Sequence, residues 1–293
     1  MDARQITERA RGKWRGSYGE ACCPLHDDKT PSMSIRPAPD GTGTVLFYCH
    51  ARHCPQVRSS KSYGAGGVLD ASRPPVRQQP VATSNTAQWA SEIWGETLPA
   101  PGTLVESYLR SRSITVTVPP CLRYHKLLNH REGGRWPAMV AMVRGQSGFA
   151  ILRTWLALDG SGKAPVDAPK MRLGTCYGGA IQLYEPGPVL LVAEGIENAL
   201  SGTQATGIPS WAAGSAKALK SVLIPDVVKH IVILADPDDT GLREAQDALH
   251  RWEIGGMRVT IAVPDDGDWN DMLKAGRSAD IQQLITSAPE SPW

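Results

Sequence analysis

Apolar residues recur every three to four positions over Ala87–Glu96 and Thr103–Arg112, the spacing that lines one face of a helix. Met139–Arg144 and Phe149–Leu158 have strand composition instead. Beyond Pro188 the pattern becomes regular. Short apolar runs at Val189–Ala193, Ser210–Ala213, His230–Ala235 and Arg258–Val263 alternate with helical periodicity over Ile196–Thr206, Ser215–Leu223 and Thr240–Trp252. Runs apolar throughout suit strands buried on both faces. Their alternation with helices predicts an α/β unit whose parallel sheet is covered by helices on both faces.

Composition divides the rest of the chain. Four of the six cysteines fall within residues 1–70. A linker over residues 71–88 follows, rich in Pro, Gln, Ser and Thr and carrying Pro74, Pro75 and Pro80. A mixed α/β segment then spans 89–188, and the alternating segment spans 189–293. No apolar run approaches the ~20 residues that cross a bilayer, and the start lacks the apolar stretch of a secretory signal. The expected location is therefore cytoplasmic, with no membrane partner. There the cysteines stay reduced, and a Cys/His cluster points to a metal rather than to disulfides.

The net charge of +2 conceals a polarity. Residues 189–293 hold 8 Lys+Arg against 15 Asp+Glu, a net of −7, which leaves 23 against 14, a net of +9, in residues 1–188. A basic first part suits a phosphate backbone and an acidic last part suits a divalent cation. Unequal solvated surfaces would give the same count.

Two constellations carry candidate chemistry. The first is Cys23-Pro-Leu-His26, then 22 residues, then Cys49-His-Ala-Arg-His-Cys54. Two local ligand pairs brought together by folding form a tetrahedral zinc site, and a module this small needs the metal to fold. Cys23, His26, Cys49 and Cys54 are the ligands chosen, with His53 as the alternative fourth and Cys22 as a competitor to Cys23. The second constellation is a pair of strand ends. Val189–Ala193 runs into Glu194-Gly195, and Ile231–Ala235 runs into Asp236-Pro-Asp238. Ligands of open parallel sheets bind beyond the carboxyl ends of the strands, so these carboxylates can converge. Held close, they call for a cation, and hard oxygen donors favour Mg²⁺ or Mn²⁺.

These motifs resemble those of phage- and plasmid-type DNA primases, in which a zinc ribbon precedes a metal-dependent Toprim catalytic domain. Cys23-Pro-Leu-His26-Asp-Asp-Lys-Thr-Pro-Ser32 is similar to the opening of the primase ribbon, and Tyr63-Gly-Ala-Gly-Gly67 to the glycine-rich segment after its last ligand. The resemblance implies that the ribbon helps bind single-stranded template, with Arg11, Lys13, Trp14, Arg15 and Arg36 suited to phosphates and bases. Glu194 then matches the Toprim catalytic glutamate, and Asp236 and Asp238 match its metal-binding Asp-x-Asp. Asp268 of Asp268-Trp-Asn-Asp271 resembles a third acidic site. Asn270 stands where a second acid is expected there, and Asn198 where bacterial primases usually carry Asp. Residues 104–185 look like the basic subdomain of these primases. Lys170 and Arg172 of Pro169-Lys170-Met-Arg172, with Arg153, are its candidates for nucleotide phosphates or template.

The implied activity is primer synthesis from ribonucleoside triphosphates on single-stranded DNA, with structural Zn²⁺, two catalytic Mg²⁺ (or Mn²⁺) ions and a separate replicative helicase as partner. A non-catalytic DNA-binding protein of the recombination-mediator kind and a Toprim nuclease are the alternatives. Gly160-Ser-Gly-Lys163 has the look of a phosphate-binding P-loop but lacks its pattern. Ala157 replaces the first glycine and Ala164 the metal-binding Ser or Thr.

Overall fold

The computed structural model describes residues 2–23, 30–37, 45–50, 85–254 and 257–288. The chain divides into two compact units, Met1–Gln79 and Pro80–Trp293.

The first unit opens with helix α1 (Ala3–Arg9). A capping box starts it, in which the Asp2 carboxylate accepts from Gln5 N–H and the Gln5 side chain accepts from Asp2 N–H. Strands β1 (Lys13–Trp14), β2 (Gly19–Ala21), β3 (Met33–Pro37) and β4 (Val45–Cys49) form an antiparallel sheet in that order. Strand β4 alternates strictly, with Val45, Phe47 and Cys49 inside and Leu46 and Tyr48 outside. Its inner residues join Ala3, Ile6, Ala21, Met33 and Ile35 in one small core. Gly19 is required where α1 crosses β2, because any Cβ there would overlap the Thr7 side chain.

The second unit contains two five-stranded sheets. Helix α2 (Asn85–Gly95) leads into β5 (Leu98–Pro99), helix α3 (Leu104–Ser111), β6 (Leu122–Asn129), β7 (Arg135–Val143), β8 (Ser147–Trp155) and β9 (Lys170–Tyr177). The five strands form an antiparallel sheet in chain order. The remaining elements are β10 (Ile181–Gln182), β11 (Val189–Ala193), α4 (Ile196–Thr206), β12 (Ser210–Ala212), α5 (Ala216–Leu219), β13 (His230–Leu234), α6 (Asp239–Ile254), β14 (Arg258–Ala262), α7 (Trp269–Lys274) and α8 (Ser278–Thr286). Their sheet has the order β10-β12-β11-β13-β14, parallel except for the antiparallel edge strand β10.

Alternation along the strands separates the cores. On one face of the antiparallel sheet, Ala138, Val140, Ile151 and Trp155 pack with Ala90, Ile93 and Trp94 of α2. The opposite-facing Met139, Ala141, Ala150 and Leu152 join Tyr108 and Leu109 of α3 in a cluster that continues into Leu191, Ala193, Leu200, Val232, Trp269 and Ile281. The far face of the parallel sheet, with Leu190, Val192, Ile231 and Ile233, is covered by Ala245, Ala248 and Trp252 of α6. Helices thus lie on both faces of the parallel sheet, as its apolar runs predict. Of the predicted elements beyond Pro188, the 215–223 helix is shortened to α5 over Ala216–Leu219, and α7 and α8 were not anticipated.

Candidate active site at the carboxyl ends of the parallel strands

Strands β11 and β13 are neighbours in register, with Ala193 opposite Leu234. Glu194 therefore leaves the sheet beside Ala235 and Asp236. After Glu194 the chain turns at once into α4, for which Gly195 is the N-cap residue. After Asp236 it turns into α6, and the Asp238 carboxylate accepts from Gly241 N–H at 2.6 Å, satisfying a donor of the first turn. Gly241 permits this turn. A Cβ there would lie 2.6 Å from the carbonyl oxygen of Asp236.

Asp268 arrives from a third direction. It is the N-cap of α7, accepting from Asp271 N–H at 2.8 Å. Helix α7 is fixed by the buried Trp269, whose indole N–H donates to the Ala235 carbonyl at 3.0 Å.

These placements leave Asp236 half-buried among like charges. Burial first, then Glu194, Asp268 and Asp238, push its carboxyl up to about 6, against the opposing Asn198 hydrogen bond. Asn198 Nδ2 donates to Asp236 Oδ1 at 2.8 Å, while Asn198 Oδ1 accepts from the backbone N–H of Asn270 at 3.2 Å. A backbone N–H can only donate. The oxygen of the Asn198 amide must therefore face α7 and its NH₂ must face Asp236. The Asn270 side chain ties the same turn down, donating to the Arg112 carbonyl at 2.9 Å and to Ser201 Oγ at 3.0 Å.

Cations face this group from the antiparallel sheet. Lys170 Nζ, at the start of β9, is 3.9 Å from Glu194 Oε1, and Lys163 Nζ is 3.7 Å from Glu197 Oε1. Glu197 lies buried in the first turn of α4 and accepts the Tyr108 hydroxyl at 2.5 Å. Burial pushes the Glu197 carboxyl up. Lys163, the Tyr108 hydroxyl and Lys170 outweigh that and hold it below its ordinary value. The Tyr108 hydroxyl is correspondingly pushed up, by burial and then by Glu197. Arg112 also lies within the field of Glu197 and Asp268.

The structure thus brings together Glu194, Asp236, Asp238, Asp268 and Lys170 from the sequence-derived candidates. Arg172 shares a β9 face with Lys170 by alternation and donates to the Cys176 carbonyl at 3.3 Å. Arg153 is not brought to the carboxylates. It stands in line with Ile151 and Trp155 on the face that packs α2, with its guanidinium over the Trp155 ring at 5.0 Å. Tyr108, Arg112 and Lys163 were not predicted as members of this site. Tyr108 sits in an ordinary amphipathic helix and Arg112 is its C-cap residue, whereas Lys163 had a visible signal in the Gly160–Lys163 spelling.

Among the described residues no group of three or more His, Cys, Asp or Glu is already gathered to hold a metal. The donor set itself fits a hard divalent cation. The half-buried Asp236 lies in the field of Glu194, Asp268 and Asp238, and burial together with their repulsion raises it, a cost that a bound cation would relieve.

In the first unit, Cys23 and Cys49 come to the same end of the sheet. Ala21 pairs with Met33 and Met33 with Cys49, and Cys23 lies two residues past Ala21. Both cysteines are buried, each 2% exposed. His26, Cys54 and the alternative His53 lie outside the described residues, and Cys22 is exposed. Of the proposed template contacts, Arg15 pairs with Glu20 at 2.8 Å and Arg36 lies over the Tyr18 ring at 5.0 Å. Arg11 and Lys13 are exposed.

Comparison with known proteins gives two family matches. Residues 84–183 match a domain of unknown function (DUF7146), and residues 189–278 match the Toprim domain. No curated protein matches the chain. Among solved structures, the zinc-binding and RNA polymerase domains of the Aquifex aeolicus primase are similar at 17% identity and a TM-score of 0.47, over 99% of this chain and 84% of that one. The primase fragment of the bacteriophage T7 primase-helicase is similar at 16% identity and a TM-score of 0.44, over 92% and 99%. A primase catalytic domain bound to single-stranded DNA is similar at 13% identity and a TM-score of 0.44, over 71% and 80%. The carboxylates gathered beyond β11 and β13 thus lie in a Toprim domain, which this chain carries over residues 189–278.

Proposed function

We propose that the chain is a DNA primase, joining ribonucleotides into short RNA primers on single-stranded DNA by metal-dependent nucleotidyl transfer in phage or plasmid replication. The observation that carries this reading is the arrival of Glu194 and Asp236 at the adjoining carboxyl ends of β11 and β13, with the Lys170 ammonium 3.9 Å from Glu194. In the reaction, the primer 3′-hydroxyl attacks the α-phosphorus of a ribonucleoside triphosphate in line, and pyrophosphate leaves.

Glu194, Asp236 and Asp238 would hold Mg²⁺ or Mn²⁺, with Asp268 beside them. A divalent cation there supplies positive charge against the phosphates and lowers the pKa of the attacking hydroxyl. The chain's own contribution is orientation. Asn198 commits one oxygen of Asp236 to a hydrogen bond, and the caps that Asp238 and Asp268 provide tie those carboxylates to α6 and α7. Lys170 and Arg172 would meet nucleotide phosphates or template. Arg153, on the α2 face, would contact nucleic acid only there.

The N-terminal unit is proposed as a zinc ribbon that holds the template, with Cys23, His26, Cys49 and Cys54 as ligands. Its support is the cysteine spacing together with the arrival of Cys23 and Cys49 at one sheet end. No helix of the described residues is long and apolar enough to cross a membrane. A cytoplasmic protein working with a separate replicative helicase completes the proposal.

A primer-synthesis assay tests it, using single-stranded DNA, labelled ribonucleotides and Mg²⁺ or Mn²⁺. Short labelled oligomers made by the intact chain, and lost in Asp236→Ala/Asp238→Ala, are the expected result. Degradation of template without nucleotides would instead identify a Toprim nuclease. Template binding with no product under either metal would identify a binding protein of the mediator kind.

A further inference from the structure

We propose that Lys163 is a second phosphate-binding residue of this site, gripping the polyphosphate of the incoming nucleoside triphosphate together with Lys170. The inference rests on the primase reading and names a residue that this reading did not require.

Lys163 ends the Gly160-Ser-Gly-Lys163 segment, and the local structure excludes a P-loop. Ala157 N–H donates to the Gly162 carbonyl at 2.9 Å, and Ala164 N–H to the Trp155 carbonyl at 2.8 Å. Leu156 and Lys163 form an antiparallel bridge. The segment is therefore a tight turn continuing from β8. No helix N-terminus follows to bind an anion, so any phosphate contact must come from the lysine side chain. Glycine fits the tip, since Gly160 has φ of 71° and a Cβ there would crowd Leu104 and Ser107. What the turn accomplishes is delivery. It carries the Lys163 ammonium across to α4 of the Toprim domain, where it faces Glu197, three residues beyond Glu194.

Three observations point to an anionic ligand. First, the Lys163 and Lys170 ion pairs, at 3.7 and 3.9 Å, are too long to be hydrogen bonds. Neither side chain donates a hydrogen bond among the described residues, and the two are 33% and 32% exposed. Their ammonium N–H groups remain available. Second, Glu197 does not account for the cations around it. It already accepts the Tyr108 hydroxyl, and Lys163, Lys170 and Arg112 all lie within its field. Only Lys163 has Glu197 as its ion-pair partner, Lys170 being paired with Glu194 and Arg112 lying also in the field of Asp268. Third, this positive cluster adjoins the carboxylates Glu194, Asp236, Asp238 and Asp268. A site with ammonium groups on one side and carboxylates on the other is complementary to a polyphosphate carrying its own divalent cation. The phosphate oxygens meet the lysines and the cation meets the acids.

The test is calorimetric binding of guanosine triphosphate, with Mg²⁺, to the full chain and to Lys163→Met, with guanosine as the phosphate-free control. One lost charge-assisted contact should weaken triphosphate binding roughly tenfold or more. Guanosine binding should be unchanged, and Lys163→Arg should retain most of the affinity. The double variant Lys163→Met/Glu197→Gln removes the carboxylate that Lys163 neutralises. It should remain as weak as Lys163→Met for triphosphate.

Restoration of full triphosphate affinity in the double variant would show that Lys163 only neutralises Glu197, and would overturn the inference. So would wild-type affinity in Lys163→Met. Triphosphate bound through Lys163 by a chain that makes no primer would remove the primase reading and leave this inference standing. An intact chain that binds no triphosphate would remove both.

Discussion

Replacing Tyr108 by Phe isolates the contact that couples α3 to the Toprim segment. Tyr108 is fully buried, and its hydroxyl lies 2.5 Å from Glu197 Oε1, the short distance expected of a donor to a carboxylate. Phenylalanine keeps the ring and its packing, so the perturbation is one oxygen, its charge-assisted hydrogen bond to Glu197 and its interaction with the Arg112 guanidinium. Such bonds contribute about 1.5–3 kcal/mol. The loss should stay below the 3–5 kcal/mol of an orphaned buried charge, because Lys163 remains 3.7 Å from Glu197. A destabilisation of about 2 kcal/mol at pH 7 is expected. Urea unfolding followed by tryptophan fluorescence measures it, with the midpoint falling at constant slope.

The pH dependence provides a second check. Glu197 titrates below its ordinary value of 4.5 in the folded chain. The stability it contributes is therefore present above the unfolded-state pKa and is lost as pH falls through the folded one. Protonation there turns the Tyr108 contact into a neutral hydrogen bond. The difference between wild type and Tyr108→Phe should narrow on acidification below pH 4.5. A difference under about 0.5 kcal/mol at pH 7, or one that widens in acid, would refute the reasoning.

Two further outcomes follow from the geometry. Asn198→Ala removes the N–H that orients Asp236, and partners of metal-bound carboxylates typically contribute about 10–100-fold to affinity. Mn²⁺ binding, followed by electron paramagnetic resonance well below the melting temperature, should weaken by about that factor. Cys49→Ser should lower the zinc content of the purified chain and unfold Met1–Gln79 while leaving the second unit's transition in place. Element analysis and denaturation monitored on both units would check this.

The parallel sheet was legible in the sequence because its strands are apolar throughout and end in carboxylates or turn residues. Val189–Ala193 and His230–Leu234 match their predicted runs to within a residue. The carboxylate cluster was legible for the same reason, since strand ends in an open sheet share one edge. Strands β6 and β9 were missed. Leu122–Asn129 and Lys170–Tyr177 carry several charged or polar residues, and β9 contains a glycine, so their period-two signal is weak. Lys163 was visible only through the Gly160–Lys163 spelling, which the sequence itself excludes as a P-loop because Ala157 and Ala164 break the pattern. Only the turn geometry shows where its side chain goes. Arg153 was chosen because it interrupts an apolar strand. That interruption marks the α2 face, where its guanidinium stacks on Trp155.

The cluster running from Tyr108 and Leu152 into Leu191 and Trp269 gives the second unit a seam with no water-facing side. Two family models meet there, yet the apolar residues on either side fill one common interior. Neither half can be transplanted as a cassette without presenting that surface to solvent, and a volume change on one side needs a matching change on the other. Inheritance should therefore keep the two halves together as a pair. The seam that binds them is the same surface that brings the lysines of one half to the carboxylates of the other.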